Sequence, residues 1–255
     1  MTAQFTQQQQ VQETQYSIPY HYIPSLDDNG FSQTLFWSWG MQYLAGLELV
    51  ISELKQLQFS SLLDVGCGDG RFLKEVVATF PDKEVLGIDY SQTAIALAKA
   101  LNPTINYQCI NITSGHLDGN FEVATMVEVL EHIPIDQVPD FLVGVSRQLT
   151  KNGKLILTVP HVNKRLQNKH YQHFSSSNLK ETLSSQFEVE KIMPFDRISR
   201  PVGWLLKLLG YKSNHYLITN KTINNAIYKQ VLRNCLEAQP EKMCGRLLAI
   251  AKVKS

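Results

Sequence analysis

Three groups of residues have types and spacing that could do chemistry. The first is Asp64-Val65-Gly66-Cys67-Gly68-Asp69-Gly70, a glycine loop between an apolar run and a helical pattern. Glycines let a backbone turn sharply and come close to a ligand. The helix that follows offers unbonded N–H groups and a positive dipole end to a carboxylate. A dinucleotide fingerprint GxGxxG would place its third glycine at Arg71, so this GxGxG spacing argues against a dehydrogenase. A tight structural turn is the competing reading of such a loop. The second group is Asp89 in Gly87-Ile88-Asp89-Tyr90-Ser91, about twenty residues on, where a carboxylate can accept from both hydroxyls of a ribose. The third is Glu128-Val129-Leu130-Glu131-His132, followed by His161, His170 and His173. Two carboxylates and an imidazole in apolar sequence are costly to bury unless they are paired or bind a metal. Oxygen and nitrogen donors of this kind suit Mg, Mn, Fe or Zn. Three roles stay open for the cluster: a metal site that acidifies a bound hydroxyl, a substrate-side role such as a histidine general base, or a structural hydrogen-bond cluster.

The elements that must position these groups alternate along the chain. Apolar runs at 61–66, 84–90, 105–110, 122–129 and 154–160 read as strands, the last after the turn Lys151-Asn152-Gly153. Helical patterns at 71–80, 92–101 and 138–149 fall between them. Val/Ile/Leu-rich strands alternating with helices imply a parallel sheet covered on both faces. A helix near 176–185 and strands at 187–195 and 246–253 complete the pattern, with a mostly helical stretch at 201–236 between those strands. The expectation is an α/β, doubly wound, mainly parallel seven-stranded sheet. Glycine loop, Asp89 and Glu128 all fall at strand ends, where ligands sit in such sheets.

On these residues the chain resembles the class I S-adenosylmethionine-dependent methyltransferases. LLDVGCGDG is similar to their first motif, GIDYS to their ribose-binding second, and LTKNGKLILTVP to the turn and strand of a third. The resemblance runs over about 60–195. It implies a Rossmann-like fold and S-adenosylmethionine as cofactor. Gly66 and Gly68 would then line the methionine portion, Asp64 would lie near its amino group, Asp89 would hold the ribose and Tyr90 would cover the adenine. Asn111 stands where the family often has Asp, and its amide oxygen could accept from the adenine amino group. ExxEH resembles two metal-assisted groups, the ubiquinone-biosynthesis O-methyltransferases (type 11–12 methyltransferases) and the Hen-type enzymes of small-RNA 2′-hydroxyls. That resemblance implies Glu131, His132 and His173 as catalytic residues. It implies Glu128, Glu131, His132 and His173 as ligands of Mg or Mn, although the RHxDHxFEW pattern around the later His is only echoed in HYQHF.

Outside this segment the sequence is less specific. Of 255 residues 44% are hydrophobic and 18% charged, ordinary for a globular domain. Net charge is +1, which argues against a generic nucleic-acid binder. Residues 161–255 are nevertheless basic and residues 1–160 acidic, and a basic half can face an anionic substrate, a membrane surface or RNA. The four cysteines, Cys67, Cys109, Cys235 and Cys244, form no CxxC pair. They are expected to be reduced thiols of a cytoplasmic protein. No apolar run approaches the ~20 residues of a membrane span. The Gln-rich residues 1–15 read as a disordered tail. Residues 16–58, with Tyr20, His21 and Tyr22, read as an N-terminal helical cap or lid; 59–255 is the expected methyltransferase domain, with a helical insertion at about 196–240. The apolar stretch PVGWLLKLLGYK at 201–212 allows a pocket wall, a membrane-surface contact, a dimer contact or plain core. The leading expectation is O-methylation of a small molecule. The alternatives are an RNA 3′-terminal 2′-O-methyltransferase, which the basic half would suit, and a non-catalytic cofactor-binding partner protein.

Overall fold

Glutamine is a good helix former, and the Gln-rich start of the chain is helical: α1 spans Gln7–Gln15. Thr6 and Gln9 open it with a capping box. Gln9 N–H donates to Thr6 Oγ1 at 3.2 Å, and Thr6 N–H donates to Gln9 Oε1 at 2.8 Å. The structure, a computed structural model, describes residues 6–16, 24–27, 30–32, 37–115, 117, 119–198 and 220–254. After α1 a short antiparallel pair, β1 (Ser25–Asp27) and β2 (Gly30–Ser32), precedes α2 (Trp37–Leu54). The alternation then follows: β3 (Ser61–Val65), α3 (Arg71–Thr79), β4 (Glu84–Asp89), α4 (Gln92–Leu101), β5 (Asn106–Cys109), β6 (Phe121–Val127), α5 (Val138–Arg147) and β7 (Leu149–Pro160). The chain closes with α6 (Ser176–Leu183), β8 (Phe187–Arg197), α7 (Lys221–Leu236) and β9 (Cys244–Val253).

Seven strands form one sheet in the order β5-β4-β3-β6-β7-β9-β8. β3 to β7 are mutually parallel, and β9 inserts antiparallel between β7 and β8. The chain moves outward from β3 to β5, then returns to place β6 on the other side of β3. That reversal opens a crevice at the carboxyl ends of β3 and β6, where doubly wound sheets bind ligands. Both faces are covered. Met41, Leu44, Leu73 and Val231 of α2, α3 and α7 lie in one apolar layer, while Phe141, Val145 and Leu179 of α5 and α6 lie in the other. Fully burying each such side chain contributes about 1.5–3 kcal/mol. Ser91, Ser175 and Asn220 cap α4, α6 and α7 by accepting from the N–H groups of Ala94, Asn178 and Ile223.

Several expectations need correction. Residues 7–15 are a helix rather than a tail, because capping and contact with the crevice replace the missing apolar face. Within the segment 16–58, read as a helical cap, Ser25–Asp27 and Gly30–Ser32 are strands and α2 forms the helix. The Lys151-Asn152-Gly153 turn lies inside β7 as an irregularity: Phe121 pairs with Leu149, yet Val123 pairs with Lys154. Within the late helical stretch α7 is present. The apolar residues 201–212 lie outside the described residues, as do Tyr20, His21 and Tyr22.

Candidate active site

The loop after β3 is fixed by β4. The N–H groups of Gly66 and Cys67 both donate to Ile88 C=O, at 2.8 and 2.9 Å. Gly66 and Gly68 have φ of 74° and 56°, in the left-handed region where a side chain is strained. At Gly66 an added Cβ would also lie 2.7 Å from Val129 Cγ2. Asp89, at the end of β4, accepts from Gly68 N–H at 3.0 Å and from Ser91 N–H at 2.9 Å. Burial pushes its carboxyl up to about 6, against the lowering effect of those bonds. Asp64 is held by Thr125 Oγ1–H at 2.7 Å, and burial, with Asp89 adding to it, pushes its carboxyl up to about 7.

Two adjoining cavities open over this loop. The smaller, of about 130 Å³, is lined by Asp89, Tyr90, Asn111 and Val129 among others. The larger, of about 400 Å³, reaches from Asp64 and Gly68 past Glu128 and Glu131 to Lys164, His170 and Arg246. Gly66, Glu128 and His132 line both, and so does Gln12 of α1. Thr6 Oγ1 and Tyr171 Oη lie 2.6 Å apart and tie the start of α1 to the far rim. α1 thus covers the crevice. Asn111 borders the smaller cavity, but its Oδ1 accepts from Thr113 N–H at 3.1 Å and Thr113 Oγ1–H at 2.8 Å. Its amide nitrogen, rather than the expected oxygen, is left for a ligand.

The ExxEH segment follows β6 and closes in a short 3-10 turn, Leu130–His132. Glu128 has φ 56°, and strain of this sort concentrates at functional sites. Both carboxylate oxygens of Glu131 and Oε1 of Glu128 are buried with no hydrogen-bond partner among the described residues. Burial, then the nearby Glu128 carboxylate, pushes Glu131 well above the usual carboxylate range. His132 Nδ1 is 2.9 Å from Lys169 C=O, which fixes the Nδ1–H tautomer and leaves Nε2 as an acceptor, 3.9 Å from Glu131 Oε1. A second chain of bonds does the same for His170. His173 Nδ1 is 3.1 Å from Lys164 C=O, so His173 Nε2 accepts from His170 Nδ1–H at 2.8 Å, and His170 Nε2 keeps its lone pair. Burial lowers His132 to about 4, with the Lys169 ammonium contributing. Burial first, then His132 and Lys169, lowers His170 to about 2. Both rings are neutral near pH 7.

Glu131, His132 and His170 offer ligand atoms within 4.8 Å of one another. His173, expected beside them, stands behind His170 and orients it. His161 is elsewhere, with Nε2 3.2 Å from Glu241 Oε1 and Nδ1 accepting from Asn163 N–H. Asp64, Gly66, Gly68, Asp89, Tyr90 and Asn111 do come together around the two cavities. Sequence reasoning missed His170 as the inward histidine, the cover formed by α1, and Lys164, Lys169 and Arg246 on the larger cavity. Among these only His170 had a signal, its place in HYQHF three residues before His173.

A family model described as a methyltransferase domain matches residues 63–155. The ubiquinone biosynthesis O-methyltransferase of Colwellia psychrerythraea is 31% identical over 191 residues, 65% of this chain and 69% of that protein. The mitochondrial enzyme of that name from Schizosaccharomyces pombe is 36% identical over 104 residues, 38% of this chain and 36% of that protein. The small RNA 2′-O-methyltransferase of Arabidopsis thaliana is 28% identical over 109 residues, 37% of this chain and 12% of that protein. The chain thus spans well under half the length of the last two relatives. Among solved structures, the N-methyltransferase NodS of Bradyrhizobium japonicum with S-adenosyl-l-homocysteine superposes with a TM-score of 0.59 at 15% identity, over 98% of this chain and 100% of that one. The plantazolicin methyltransferase BpumL with SAH gives 0.53 at 15% identity, over 86% and 85%. At these identities the two structures bear on the fold alone. No helix among the described residues is long and apolar enough to cross a membrane.

Proposed function

The chain belongs to the class I S-adenosylmethionine-dependent methyltransferases, and from that premise we propose that it methylates a hydroxyl oxygen of a small molecule. One observation carries the reading: the two cavities meet at Gly66, Glu128 and His132. A cofactor with its adenosine in the smaller cavity would present its sulfonium end to the larger one, beside the Glu131–His132–His170 group. In this reading Asp89 accepts from the ribose hydroxyls, Tyr90 and Asn111 flank the adenine, and Asp64 faces the methionine ammonium across the Gly66–Gly68 turn.

When bound, S-adenosylmethionine would supply a methyl group on sulfur for in-line transfer to the acceptor oxygen, with the bonding pair staying on sulfur. The protein supplies placement and a route for the proton. The buried Glu131 carboxylate, held well above the usual carboxylate range, is placed to take the hydroxyl proton, while Nε2 of His132 and of His170 present lone pairs that orient the hydroxyl. The buried, unpartnered carboxylates and the two oriented imidazoles also fit a hard divalent ion such as Mg or Mn. Glu128, Glu131, His132 and His170 would hold it, with His173 behind them, and it would acidify the acceptor hydroxyl. The free cysteines suit a reducing compartment, and a cytoplasmic location is part of the same proposal.

The test is calorimetric binding of S-adenosylhomocysteine, followed by methyl transfer from S-adenosylmethionine to a panel of catechols, with and without Mg²⁺ or Mn²⁺. Micromolar binding and transfer to oxygen, lost in Glu131→Ala with binding retained, is the expected result. Binding without transfer to any hydroxyl would overturn the O-methylation reading, and no binding at all would overturn the site assignment.

A further inference from the structure

Over the whole of α1, the sequence QQQQVQETQ carries a single ionisable side chain, that of Glu13. Its position does nothing for the helix. Glu13 lies in the last turn, where a negative charge opposes the helix dipole, and no basic residue in that turn offsets it. Glutamine at 13 would serve a purely covering helix better, as glutamine does at six of the other eight positions.

Glu13 also shares a face with the residues of α1 that border the two cavities. Gln9 lines the smaller cavity, Gln12 lines both, and Tyr16, just past the helix end, lines the larger. Residues 9, 12, 13 and 16 follow the i, i+3, i+4, i+7 spacing of one helix face. Glu13 Oε1 is buried, with no hydrogen-bond partner among the described residues. The field of this carboxylate reaches Asp89, Tyr90 and Cys109. All three stand at or just past the carboxyl ends of β4 and β5.

Two carboxylates therefore act on each other at the smaller cavity, Asp89 from the sheet and Glu13 from the cover. Asp89 already accepts from backbone donors, Gly68 N–H on Oδ2 and Ser91 N–H on Oδ1. Glu13 Oε1 has none. A buried carboxylate oxygen without a donor is costly, and a like charge nearby adds to the cost. Among the described residues no lysine or arginine lines this cavity. The missing donors must come with the ligand, and a vicinal diol brings two neighbouring O–H groups, one for each carboxylate.

We propose that Glu13 is a ribose-binding residue carried by the cover: its carboxylate accepts from one hydroxyl of the cofactor's ribose while Asp89 accepts from the other. This rests on the cofactor reading above and adds to it a binding residue from outside the sheet. The bound ribose then bridges β4 to α1, so the contact that binds the cofactor also holds the cover down. The Thr6–Tyr171 contact ties the start of α1, and Glu13 ties its last turn.

The test is a thermodynamic cycle on the full chain, read by calorimetry. S-adenosylhomocysteine and its 2′-deoxy and 3′-deoxy analogues are titrated into wild type and Glu13→Ala. Alanine is the best helix former, so the substitution leaves α1 intact. Glu13→Ala should lower S-adenosylhomocysteine affinity about tenfold, and loss of one of the two hydroxyls should cost the wild type about tenfold more than it costs the variant. Equal losses in wild type and variant for both analogues overturn the proposal, because a merely covering Glu13 weakens every ligand alike. Coupling confined to an analogue that lacks the adenine amino group moves the contact to the base and overturns it as well. No binding of S-adenosylhomocysteine to folded wild type overturns the cofactor reading itself, and this proposal with it.

Discussion

Asp89 Oδ2 lies 3.0 Å from Gly68 N, so the carboxylate at the end of β4 holds the turn of the loop that follows β3. One side chain thereby shapes the glycine loop and borders the smaller cavity. Its Oδ1 accepts from Ser91 N–H at 2.9 Å, which also anchors the start of α4. Asp89→Ala should weaken S-adenosylhomocysteine binding about 10–100-fold, the range for losing charged hydrogen bonds. Calorimetry reads this directly, and unchanged affinity would remove Asp89 from the ribose assignment.

Binding should depend on pH through the same carboxylate. Folded Asp89 sits at about 6, above its ordinary 3.8, and Asp64 at about 7. Because both are raised, their burial as ions costs stability that is regained as pH falls below those values. Ribose hydroxyls and a cofactor ammonium favour the ionised forms, so affinity has the opposite sign and falls as pH drops through 7 and then 6. Titrations from pH 7.5 to 5 should show this loss together with proton release on binding. Asp89→Asn should abolish the lower step, and a flat profile in the wild type would refute the coupling.

Glu131→Gln should separate stability from activity. The wild-type carboxylate is fully buried, and neither of its oxygens has a hydrogen-bond partner among the described residues. With its folded pKa raised above 4.5, the wild type loses stability as pH rises above the unfolded value. The neutral amide escapes that loss, and the variant should be more stable at pH 7 by about 1–3 kcal/mol. Turnover should fall by ~10²–10³-fold, in the range of general-base or metal assistance. Urea melts alongside kinetics check both, and a destabilised but active variant would contradict the role given to Glu131.

Gly66→Ala tests the loop itself. Left-handed backbone costs a side chain about 1–2 kcal/mol, and forcing a methyl group into a packed site about 1–3 kcal/mol more. At Gly66 both apply, since φ is 74° and Val129 blocks the methyl group. A loss of roughly 2–5 kcal/mol in urea unfolding is expected, with cofactor binding abolished. Retention of wild-type affinity would show that the loop can shift without harm.

Removal of residues 1–16 should speed S-adenosylhomocysteine dissociation by about tenfold or more, as expected when a cover is taken from a site. Gln12 lines both cavities, and Tyr171→Phe, which breaks the contact with Thr6, should give a smaller change in the same direction. Stopped-flow displacement measures both rates. Equal dissociation from the full and shortened chains would mean that α1 lies over the crevice without closing it.

What the sequence by itself determined was local. The glycine loop and Asp89 are legible because strand, turn and carboxylate are contiguous, and a GxGxG turn between a buried strand and a helix has few other uses. Sheet class and most strand positions follow from apolar runs buried on both faces. The ExxEH group is legible for the same reason, since both carboxylates and the imidazole leave one strand end. Tertiary structure decided what depends on distant segments. Whether His170 or His173 faces Glu131 is set by the loop after β7, where Tyr171 N–H donates to Glu131 C=O at 2.8 Å and His173 bonds back to Lys164. Two histidines three residues apart carry no such information. The helix at 7–15 has almost no amphipathic pattern, so its place over the crevice comes from capping and from partners more than a hundred residues away. Lys164, Asp196 and Arg246 meet only because β9 inserts antiparallel between β7 and β8, bringing the ends of three strands to one wall. Sequence periodicity reports how each segment faces a core, and carries no signal for which strand ends become neighbours.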